Sequence, residues 1–294
     1  MKAGTLDRIS PDGRVTATVN RIIPFSSVDG PGNRTAIFLQ GCNIDCKYCH
    51  NPETRKMCVG CGRCVKACPA GALTNGGGGR ILYDSDKCVQ CDTCIHICPH
   101  DSSPRVTVMT PEEVEEKVRH QIPFIRGISV SGGECMLRPA FLMQLFRLAK
   151  ADGLGTLIDS NGTIPFWDVP ELMEVSDGVM LDIKAFDSRA HEYVTGSPND
   201  IVLKNAVWLA ERKKLFEVRA VIVPDLYDGE ESVHGIAQYL SPYLELNNIR
   251  IKVIAYRPMG VRNAYKDMRV PDRAYLTRLA DIFRAYGFTH VIVI

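Results

Sequence analysis

Long apolar runs and an excess of charge of one sign are both absent from this sequence of 294 residues. No stretch reaches about 18 consecutive apolar residues, so no membrane-spanning helix is predicted. The polar segment Met1–Arg14 lacks the apolar core of a signal peptide. Lys and Arg number 35 against 34 Asp and Glu, and no long basic run indicates a nucleic-acid partner. We therefore expect a cytoplasmic protein that binds neither membranes nor nucleic acid.

Cysteine, by contrast, is abundant and unevenly placed. Eleven of the 12 cysteines lie between Cys42 and Cys98, and the twelfth is Cys135. In an exported chain this density would indicate disulfides, but thiol-rich clusters in a reducing compartment more often bind metal. Cys135 stands apart and is predicted to be a packed thiol. The spacing of the others therefore indicates which metal centre they can hold.

One cysteine run is present twice, and the copies lie thirty positions apart. Each has the spacing C-x2-C-x2-C-x3-C-P of bacterial ferredoxins with two [4Fe–4S] clusters, in which the fourth cysteine of each run binds the other cluster. Four thiolates leave no iron open, so electron transfer is the predicted role, with a pair of structural zinc sites as the alternative. The spacing predicts a first auxiliary set (Cys58, Cys61, Cys64 and Cys98) and a second auxiliary set (Cys88, Cys91, Cys94 and Cys68).

These runs lie in residues 53–103, which we expect to form an inserted domain within a core of residues 1–52 and 104–294. In the core, predicted strands (15–24, 35–40, 128–131, 156–159, 179–184, 217–223, 250–256 and 290–294) alternate with predicted helices (110–120, 139–151, 197–213 and 272–286). Repeated units with apolar strands predict an α/β fold with a parallel sheet covered by helices. Six or so units give a partial or full β/α barrel, although periodicity alone does not exclude a doubly wound sheet.

A different cysteine pattern lies in the segment Gly41–Pro52, which follows a predicted strand and is called the cysteine loop below. Cys42, Cys46 and Cys49 have the spacing C-x3-C-x2-C. Three thiolates can hold three irons of a cubane cluster and leave the fourth iron without a protein ligand. Such an open position is what a metal site needs to bind and activate a substrate. A zinc site completed by His50 is the alternative.

Six further segments accompany the cysteine loop: Ile22–Ser26, Ser27–Gly32, Gly30–Arg34, Ser131–Glu134, Asp159–Gly162 and Met180–Lys184. With the loop, they resemble the radical S-adenosylmethionine (SAM) superfamily and, within it, the activating enzymes of glycyl radical enzymes. In that family Ser131–Glu134 looks like the GGE motif, Asp159–Gly162 the D-[ST]-N-G segment and Met180–Lys184 the D-L-K segment. With the duplicated ferredoxin run, the chain is most similar to the YjjW-type activases. The resemblance implies a partial (β/α)6-type TIM barrel with an inserted ferredoxin-like domain that binds two [4Fe–4S] clusters.

The same resemblance implies three [4Fe–4S] clusters, with SAM bound at the open iron of the cysteine loop. It also implies a monovalent-cation site formed by Asp159, Ser160, Asp182 and the Met180 carbonyl. Without the resemblance, the glycine pair would mark a turn, and Asp182 with Lys184 an ion-paired strand end. Arg257 stands where related activases usually have a histidine. The residues implied to contact SAM are Tyr48, Cys49, His50, Gly132, Gly133, Glu134, Asp159, Asp182, Ile183, Lys184 and Arg257.

The activity implied by the resemblance is reductive cleavage of SAM to methionine and a 5′-deoxyadenosyl radical. That radical would remove a Cα hydrogen from one glycine of a partner enzyme, a glycyl radical enzyme whose glycine loop Asp29 would hold. The implied electron donor is flavodoxin or ferredoxin. Two alternatives stay open: a radical SAM enzyme that acts on a small molecule or peptide, and an electron-transfer protein whose cysteine-loop cluster binds no cofactor.

Overall fold

The computed structural model describes residues 8–10 and 12–294. The N-terminal segment Met1–Arg14 and the predicted core range 1–52 therefore lie partly outside the described residues. None of the described helices is long and apolar enough to cross a membrane.

The described secondary structure comprises strands, α-helices and single turns of 3₁₀ helix. The strands are β1 (Arg8–Ile9), β2 (Val15–Ser26), β3 (Arg34–Leu39), β4 (Leu73–Asn75), β5 (Ile81–Tyr83), β6 (Thr107–Met109), β7 (Gly127–Gly132), β8 (Gly155–Ser160), β9 (Gly178–Asp182), β10 (Leu215–Ile222), β11 (Arg250–Ala255) and β12 (Val291–Val293). The α-helices are α1 (Arg63–Ala67), α2 (Thr93–His96), α3 (Pro111–Arg119), α4 (Pro139–Ala151), α5 (Pro170–Val175), α6 (Ser188–Thr195), α7 (Asp200–Glu211), α8 (Gly229–Leu240) and α9 (Arg273–Ala285). The 3₁₀ turns are Pro52–Thr54, Ile122–Phe124, Cys135–Leu137, Phe166–Asp168, Ser241–Tyr243 and Asn263–Tyr265.

One large sheet organises the core. Its strand order is β1-β2-β3-β7-β8-β9-β10-β11-β12, with β6 beside β2. Every neighbouring pair from β3 to β12 is parallel, whereas β2 is antiparallel to β3 and to β6. Within the described residues β12 pairs with β11 alone, so the sheet stays open. This open α/β arrangement agrees with the predicted partial barrel.

Apolar side chains between the sheet and its helices form the core. All six residues of β3 are buried, as expected for a strand covered on both faces. Phe141, Leu142, Leu145 and Phe146 of α4 are fully buried against this sheet. Burial of each such side chain stabilises the fold by about 1.5–3 kcal/mol, so α4 holds its side of the sheet firmly.

Local capping explains where several helices begin and end. Thr110 and Glu113 form the reciprocal capping box of α3, as the sequence predicts. The predicted helix 197–213 is wrong at its start, because α7 begins only at Asp200. A separate helix, α6, precedes it and ends at Gly196, whose φ of +77° suits glycine. The sequence also signals the unpredicted helix α8, because Asp228 accepts hydrogen bonds from the N–H groups of Glu230 and Glu231.

Residues 57–101 form a small lobe outside the main sheet. Its regular elements are α1, the antiparallel pair β4–β5, and α2. The lobe buries Cys64, Leu73 and Cys94 in one small cluster. An isolated parallel bridge between Lys56 and Ser102 closes its base. So small an apolar core gives little stability by itself, which fits a module folded around what it binds.

Candidate active site at the strand ends

A cavity of about 410 Å³ opens at the C-terminal ends of the parallel strands, where β/α barrels carry their active sites. Cys42, Cys46 and Cys49 line one side of it. Asp159 at the end of β8 and Asp182 at the end of β9 line the other. The fold thus brings the cysteine loop against the polar strand ends. The lining also includes Asp29, Tyr48, His50, Gly132, Gly133, Lys184 and Arg219.

Backbone hydrogen bonds hold the cysteine loop in place. The N–H of Cys42 donates to the Arg55 carbonyl at 2.8 Å. The N–H groups of Asp45 and Lys47 donate to carbonyls in the last turn of α6, at 2.8 and 2.9 Å. Arg262 adds a side-chain bond to the Cys46 carbonyl at 2.9 Å. The three thiols therefore project from a loop tied to three other segments of the chain.

Burial governs the ionisation of these thiols. It raises the pKa of Cys42 to about 11 and that of Cys46 to about 12, and it also raises the pKa of Cys49. The nearby Lys184 ammonium opposes each shift. Metal binding requires thiolates, so a metal centre here must displace three protons.

Lys184 is the lysine among the cationic side chains that line this cavity. Its Nζ lies 2.6 Å from the Asp182 carboxylate and 5.7 Å from the centre of the Tyr48 ring. Burial lowers the pKa of the Lys184 ammonium, but Asp182, Tyr48 and Cys46 together outweigh it, so the pKa is raised and Lys184 stays charged. Tyr48 is itself buried, and its hydroxyl has no hydrogen-bond partner among the described residues. The arrangement provides a fixed positive charge beside the cysteines.

The glycine pair after β7 permits close approach of the chain to itself. A Cβ on Gly132 would lie 2.2 Å from the backbone N and O of Leu39, and one on Gly133 would lie 2.1 Å from the Gly41 carbonyl oxygen. Only glycine avoids these collisions. The N–H groups of Gly133 and Glu134 can then donate to the carbonyls of Leu39 and Gly41 at 2.9 and 2.8 Å. The pair consequently anchors the β7 end against the start of the cysteine loop.

Glu134 lies behind the cavity wall instead of lining it. Its carboxyl accepts hydrogen bonds from the N–H of Met136 at 2.9 Å, the Ser160 hydroxyl at 2.9 Å and the N–H of Asn161 at 2.7 Å. Burial raises the pKa of Glu134 to about 7, although these donors oppose the shift. Its contacts connect the loop after β7 to the loop after β8.

Asp159 is neutralised by an arginine from β10. Its Oδ2 accepts from the Ser131 hydroxyl and from Arg219, both at 2.9 Å. The Arg219 Nε also donates to Glu217 at 2.7 Å. The two carboxylates of the predicted monovalent-cation site, Asp159 and Asp182, thus each have a cationic side chain as partner. The cation site stays a prediction.

The glycine-rich segment before β3 borders the mouth of the cavity. Val28 and Asp29 line this edge, and the Ser26 hydroxyl donates to the Asp29 carboxylate. Gly30 has a φ of +131°, and a Cβ there would lie 2.8 Å from the Arg34 side chain. The buried Arg34 guanidinium donates to Ser129 at 3.0 Å and to the Ile128 carbonyl at 2.8 Å. This segment is therefore packed onto the parallel sheet.

Comparison with known proteins identifies the family. The model of the radical SAM superfamily matches residues 36–237. The chain is 32% identical over 270 residues to the choline trimethylamine-lyase activating enzyme of Oleidesulfovibrio alaskensis, which covers 86% of this chain and 87% of that protein. It is 30% identical over 313 residues to the indoleacetate decarboxylase activating enzyme of Tractidigestivibacter scatoligenes, with 96% and 98% covered. This chain belongs to the radical SAM superfamily.

Within the superfamily, the chain is a glycyl-radical-enzyme activating enzyme and therefore an oxidoreductase. Membership implies SAM and one [4Fe–4S] cluster. The sequence-based expectations of family and activity are thus confirmed, while the YjjW type stays a prediction. A radical SAM methyltransferase from Sphaerobacter thermophilus has a similar structure, with a TM-score of 0.57 at 13% identity, covering 98% of this chain and 75% of that one. At that identity the likeness concerns the fold alone.

Not every residue implied to contact SAM lines the cavity of this radical SAM protein. Glu134 and Ile183 are buried outside the lining. Arg257 is exposed, and its guanidinium does not line the cavity. Its backbone carbonyl oxygen lies 3.0 Å from His50 Nε2, which does line the cavity. The sequence indicates Asn161 only as a member of the D-[ST]-N-G segment and predicts no role for its side chain. In the structure Asn161 lines the cavity, and its Nδ2 lies 3.8 Å from the Cys42 sulfur.

The auxiliary cysteines of this activase surround two further small cavities. One cavity is lined by Cys58, Cys61, Cys64 and Cys98 together with Cys94. The other is lined by Cys68, Cys88, Cys91 and Cys94 together with Tyr83 and Arg105. Among the described residues, no three His, Cys, Asp or Glu side chains converge closely enough to hold a single metal ion. A cubane does not require such convergence, because each cysteine binds a different iron.

A larger and more open cleft of about 650 Å³ lies elsewhere, between the loop after β10 and the start of α9. It is lined by Asp225, Asp228, Arg269, Asp272 and Tyr275, among others, and by no cysteine. Volume alone does not make it the active site of a radical SAM enzyme. The smaller cavity holds the three cysteines that the chemistry requires.

Proposed function

We propose that this activase binds its [4Fe–4S] cluster and SAM in the cavity of the cysteine loop and acts on a glycine that enters beside Asp29. One observation carries the proposal: three thiols, a buried ammonium and the Asp29 edge share a single cavity of about 410 Å³. The relatives are named for activating a lyase and a decarboxylase, so we infer that the substrate here is also an enzyme.

The donor set fits these cofactors. Cys42, Cys46 and Cys49 supply three thiolates for three irons of a cubane, which leaves one iron for SAM. When bound, the cluster and SAM supply a 5′-deoxyadenosyl radical after one-electron reduction. The Lys184 ammonium suits the carboxylate of the methionyl group, and the buried Tyr48 ring gives a rigid apolar wall beside it. These residues orient SAM and keep water from the reacting atoms.

The segment that carries Asp29 fits a protein partner. Val28, next to Asp29, lines the cavity and has 69% of its surface exposed. Phe25, near the end of β2, and Phe124 have 48% and 66% exposed, and their rings pack edge to face with centroids 5.9 Å apart. An exposed apolar patch of this kind marks an interaction surface. We infer that this patch receives the glycine loop of the partner while Asp29 binds its backbone.

Residues 53–103 would form a ferredoxin-like domain with two further [4Fe–4S] clusters, giving three in all. The two small cavities support this, because each brings together the crossed set of four cysteines that the duplicated run predicts. Four thiolates complete each cluster, so its role is electron transfer. We propose flavodoxin or ferredoxin as the one-electron donor.

The function is tested with a candidate glycyl radical enzyme from the same organism. The reconstituted, reduced activase and SAM should produce 5′-deoxyadenosine and a glycyl radical signal by electron paramagnetic resonance (EPR). Cys46→Ala should abolish both products, whereas Cys135→Ala should keep them, because Cys135 lies outside the cavity and donates to the Asp159 carbonyl. Absence of 5′-deoxyadenosine with the native chain would overturn the proposal.

Metal content tests the number of clusters separately. The reconstituted chain should hold about twelve irons, four for each cubane. Replacing both Cys88 and Cys91 by alanine should lower the count to about eight, because the second auxiliary set loses two ligands. Zinc, or only about four irons in the native chain, would contradict the three-cluster assignment.

A further inference from the structure

Four charged side chains meet where the inserted lobe joins the cysteine loop. Arg55 contacts Asp45 at 2.5 Å and Asp101 at 3.2 Å. Arg262 contacts Asp45 at 2.7 Å and Asp101 at 3.9 Å. Asp45 belongs to the cysteine loop, Asp101 to the lobe, and Arg262 to the segment after β11. We call these four residues the junction network.

The network is continuous with the backbone of the cysteine loop. The Arg55 side chain is only 5% exposed, and its carbonyl accepts from the N–H of Cys42 at 2.8 Å. Arg262 bonds the Cys46 carbonyl at 2.9 Å. The two guanidinium groups are largely buried, whereas Asp45 and Asp101 are 56% and 34% exposed. A largely buried cation that loses its carboxylate partner is penalised, so this network fixes the position of the lobe against the cysteine loop.

The network also reaches the first auxiliary set directly. Asp101 has a φ of +47°, an uncommon conformation for a residue other than glycine, and it directs the chain into Ser102. The Ser102 hydroxyl lies 3.6 Å from the Cys98 sulfur. Ser102 also pairs with Lys56, two residues before Cys58. Both ends of the first auxiliary set are thus attached at the junction.

The second auxiliary set has a different neighbour. Its cavity is lined by Arg105, whose guanidinium donates to Asp92 at 2.5 Å. This contact is with the lobe itself and not with the cysteine loop. Cys94 lines both small cavities, so the two sets lie side by side.

We propose that the junction network makes the first auxiliary set the direct electron donor to the cysteine loop. The inference rests on the proposed function, because it requires a cluster at all three sites. When clusters are bound, Cys58, Cys61, Cys64 and Cys98 would hold the one that gives one electron to the cluster held by Cys42, Cys46 and Cys49. Cys68, Cys88, Cys91 and Cys94 would hold the one that replaces this electron, which a low-potential one-electron carrier protein would supply. Electron transfer weakens steeply with distance, and the junction network attaches the first auxiliary set to the cysteine loop. The first set, rather than the second, is therefore the donor to that loop.

Magnetic coupling between reduced clusters tests the order. In the fully reduced protein, the EPR signal that changes on addition of SAM belongs to the cluster of the cysteine loop. A second reduced cluster nearby accelerates the spin relaxation of this signal. Replacing Cys58 and Cys61 by alanine should remove this acceleration, whereas replacing Cys88 and Cys91 should keep most of it. The reverse result would overturn the proposed order while leaving the three-cluster assignment intact. A native chain with about four irons would instead contradict the three-cluster assignment on which this inference rests.

Variants of the junction test its role without removing a ligand. Asp101→Asn should keep the native iron content but lower the flavodoxin-driven rate of 5′-deoxyadenosine formation about tenfold, equivalent to about 1.4 kcal/mol. It should also slow the relaxation described above. Asp86→Asn is the matched control, because Asp86 is an exposed carboxylate of the same lobe outside the network.

Arg262→Gln provides a second variant that leaves the lobe sequence intact, should Asp101→Asn lose iron. It removes contacts to Asp45 and Asp101 and should reproduce the slower relaxation with full iron content. Either variant could instead keep its full iron content, the native relaxation of the cysteine-loop signal and the native flavodoxin-driven rate. That result would show that the junction network does not position the first auxiliary set.

Discussion

The Lys184 ammonium lies 2.6 Å from the Asp182 carboxylate, and both line the cavity of the three clustered cysteines. Asp182 is the last residue of β9, and Lys184 lies two positions beyond it, so the turn of the chain after the strand brings the two side chains together. An ion pair held this way keeps Lys184 charged and oriented before any ligand arrives. We propose that its second contact partner is the carboxylate of SAM.

Lys184→Met should therefore weaken SAM binding. It removes the cation and leaves Asp182 as an uncompensated negative charge facing the SAM carboxylate. We expect the dissociation constant to rise at least about tenfold, equivalent to about 1.4 kcal/mol, with unchanged iron content. Equilibrium dialysis of the anaerobic protein measures it. Lys214→Met is the matched control, since Lys214 is half-buried near the start of β10 and bonds the Ser176 carbonyl. Equal SAM affinity in both variants would contradict the assignment.

Arg219 is expected to be important for stability as well as for the site. Arg219→Gln leaves the buried carboxylates of Asp159 and Glu217 without their shared partner. Removing one partner of a buried ion pair typically costs about 3–5 kcal/mol, and we expect a loss of about 3 because Lys252 still pairs with Glu217. Anaerobic urea unfolding measures the change. In the control Arg212→Gln, which changes an exposed arginine, the loss should stay below about 1 kcal/mol. Similar losses in the two variants would show that the ion pairs of Arg219 do not stabilise the fold as buried pairs.

Glu134 predicts a pH dependence of stability. Its pKa is raised from 4.5 to about 7 in the folded chain, so the folded state retains a proton that the unfolded chain loses first. The resulting stabilisation is present below pH 4.5 and is lost as the pH rises through 7. The shift corresponds to about 3 kcal/mol. Comparing Glu134→Gln with the native chain isolates this effect, because glutamine does not titrate. Between pH 5 and 8, the free energy of unfolding of the native chain should fall by about this amount relative to that of Glu134→Gln. A constant difference would show that Glu134 does not titrate in this range.

Phe124 should contribute to partner binding without affecting SAM cleavage. Phe124→Ser removes an exposed ring that packs on Phe25, near the Val28–Asp29 segment that lines the cavity. We expect the partner concentration for half-maximal activation to rise about fivefold, equivalent to about 1 kcal/mol, because peripheral aromatic contacts contribute on this scale. Formation of 5′-deoxyadenosine without partner should stay native. Leu246→Ser is the control, because Leu246 is exposed in the segment before β11, outside the patch of Phe25 and Phe124. A native partner dependence in Phe124→Ser would exclude this patch from docking.

Several elements were readable from sequence because their signals are local. The capping box of Thr110 and Glu113 fixed the start of α3, and the apolar strands indicated a parallel sheet. Helix α8 escaped prediction although Asp228 caps it. The break between α6 and α7 depends on Gly196 in a left-handed conformation, which competes with the helical signal of the proline that follows. Such boundaries are set by a single backbone conformation rather than by a pattern.

The amino-acid sequence by itself determined the ligand chemistry of this protein. Cysteine spacing within a short loop limits how many thiolates can reach one cluster, and that constraint needs no knowledge of the rest of the fold. Tertiary structure decided the partners that come from distant segments: Arg219 for Asp159, Gly41 for Gly133, and the junction of Arg55 with Asp101. Those contacts depend on which strand ends and linkers meet in space, and sequence separation carries no record of that.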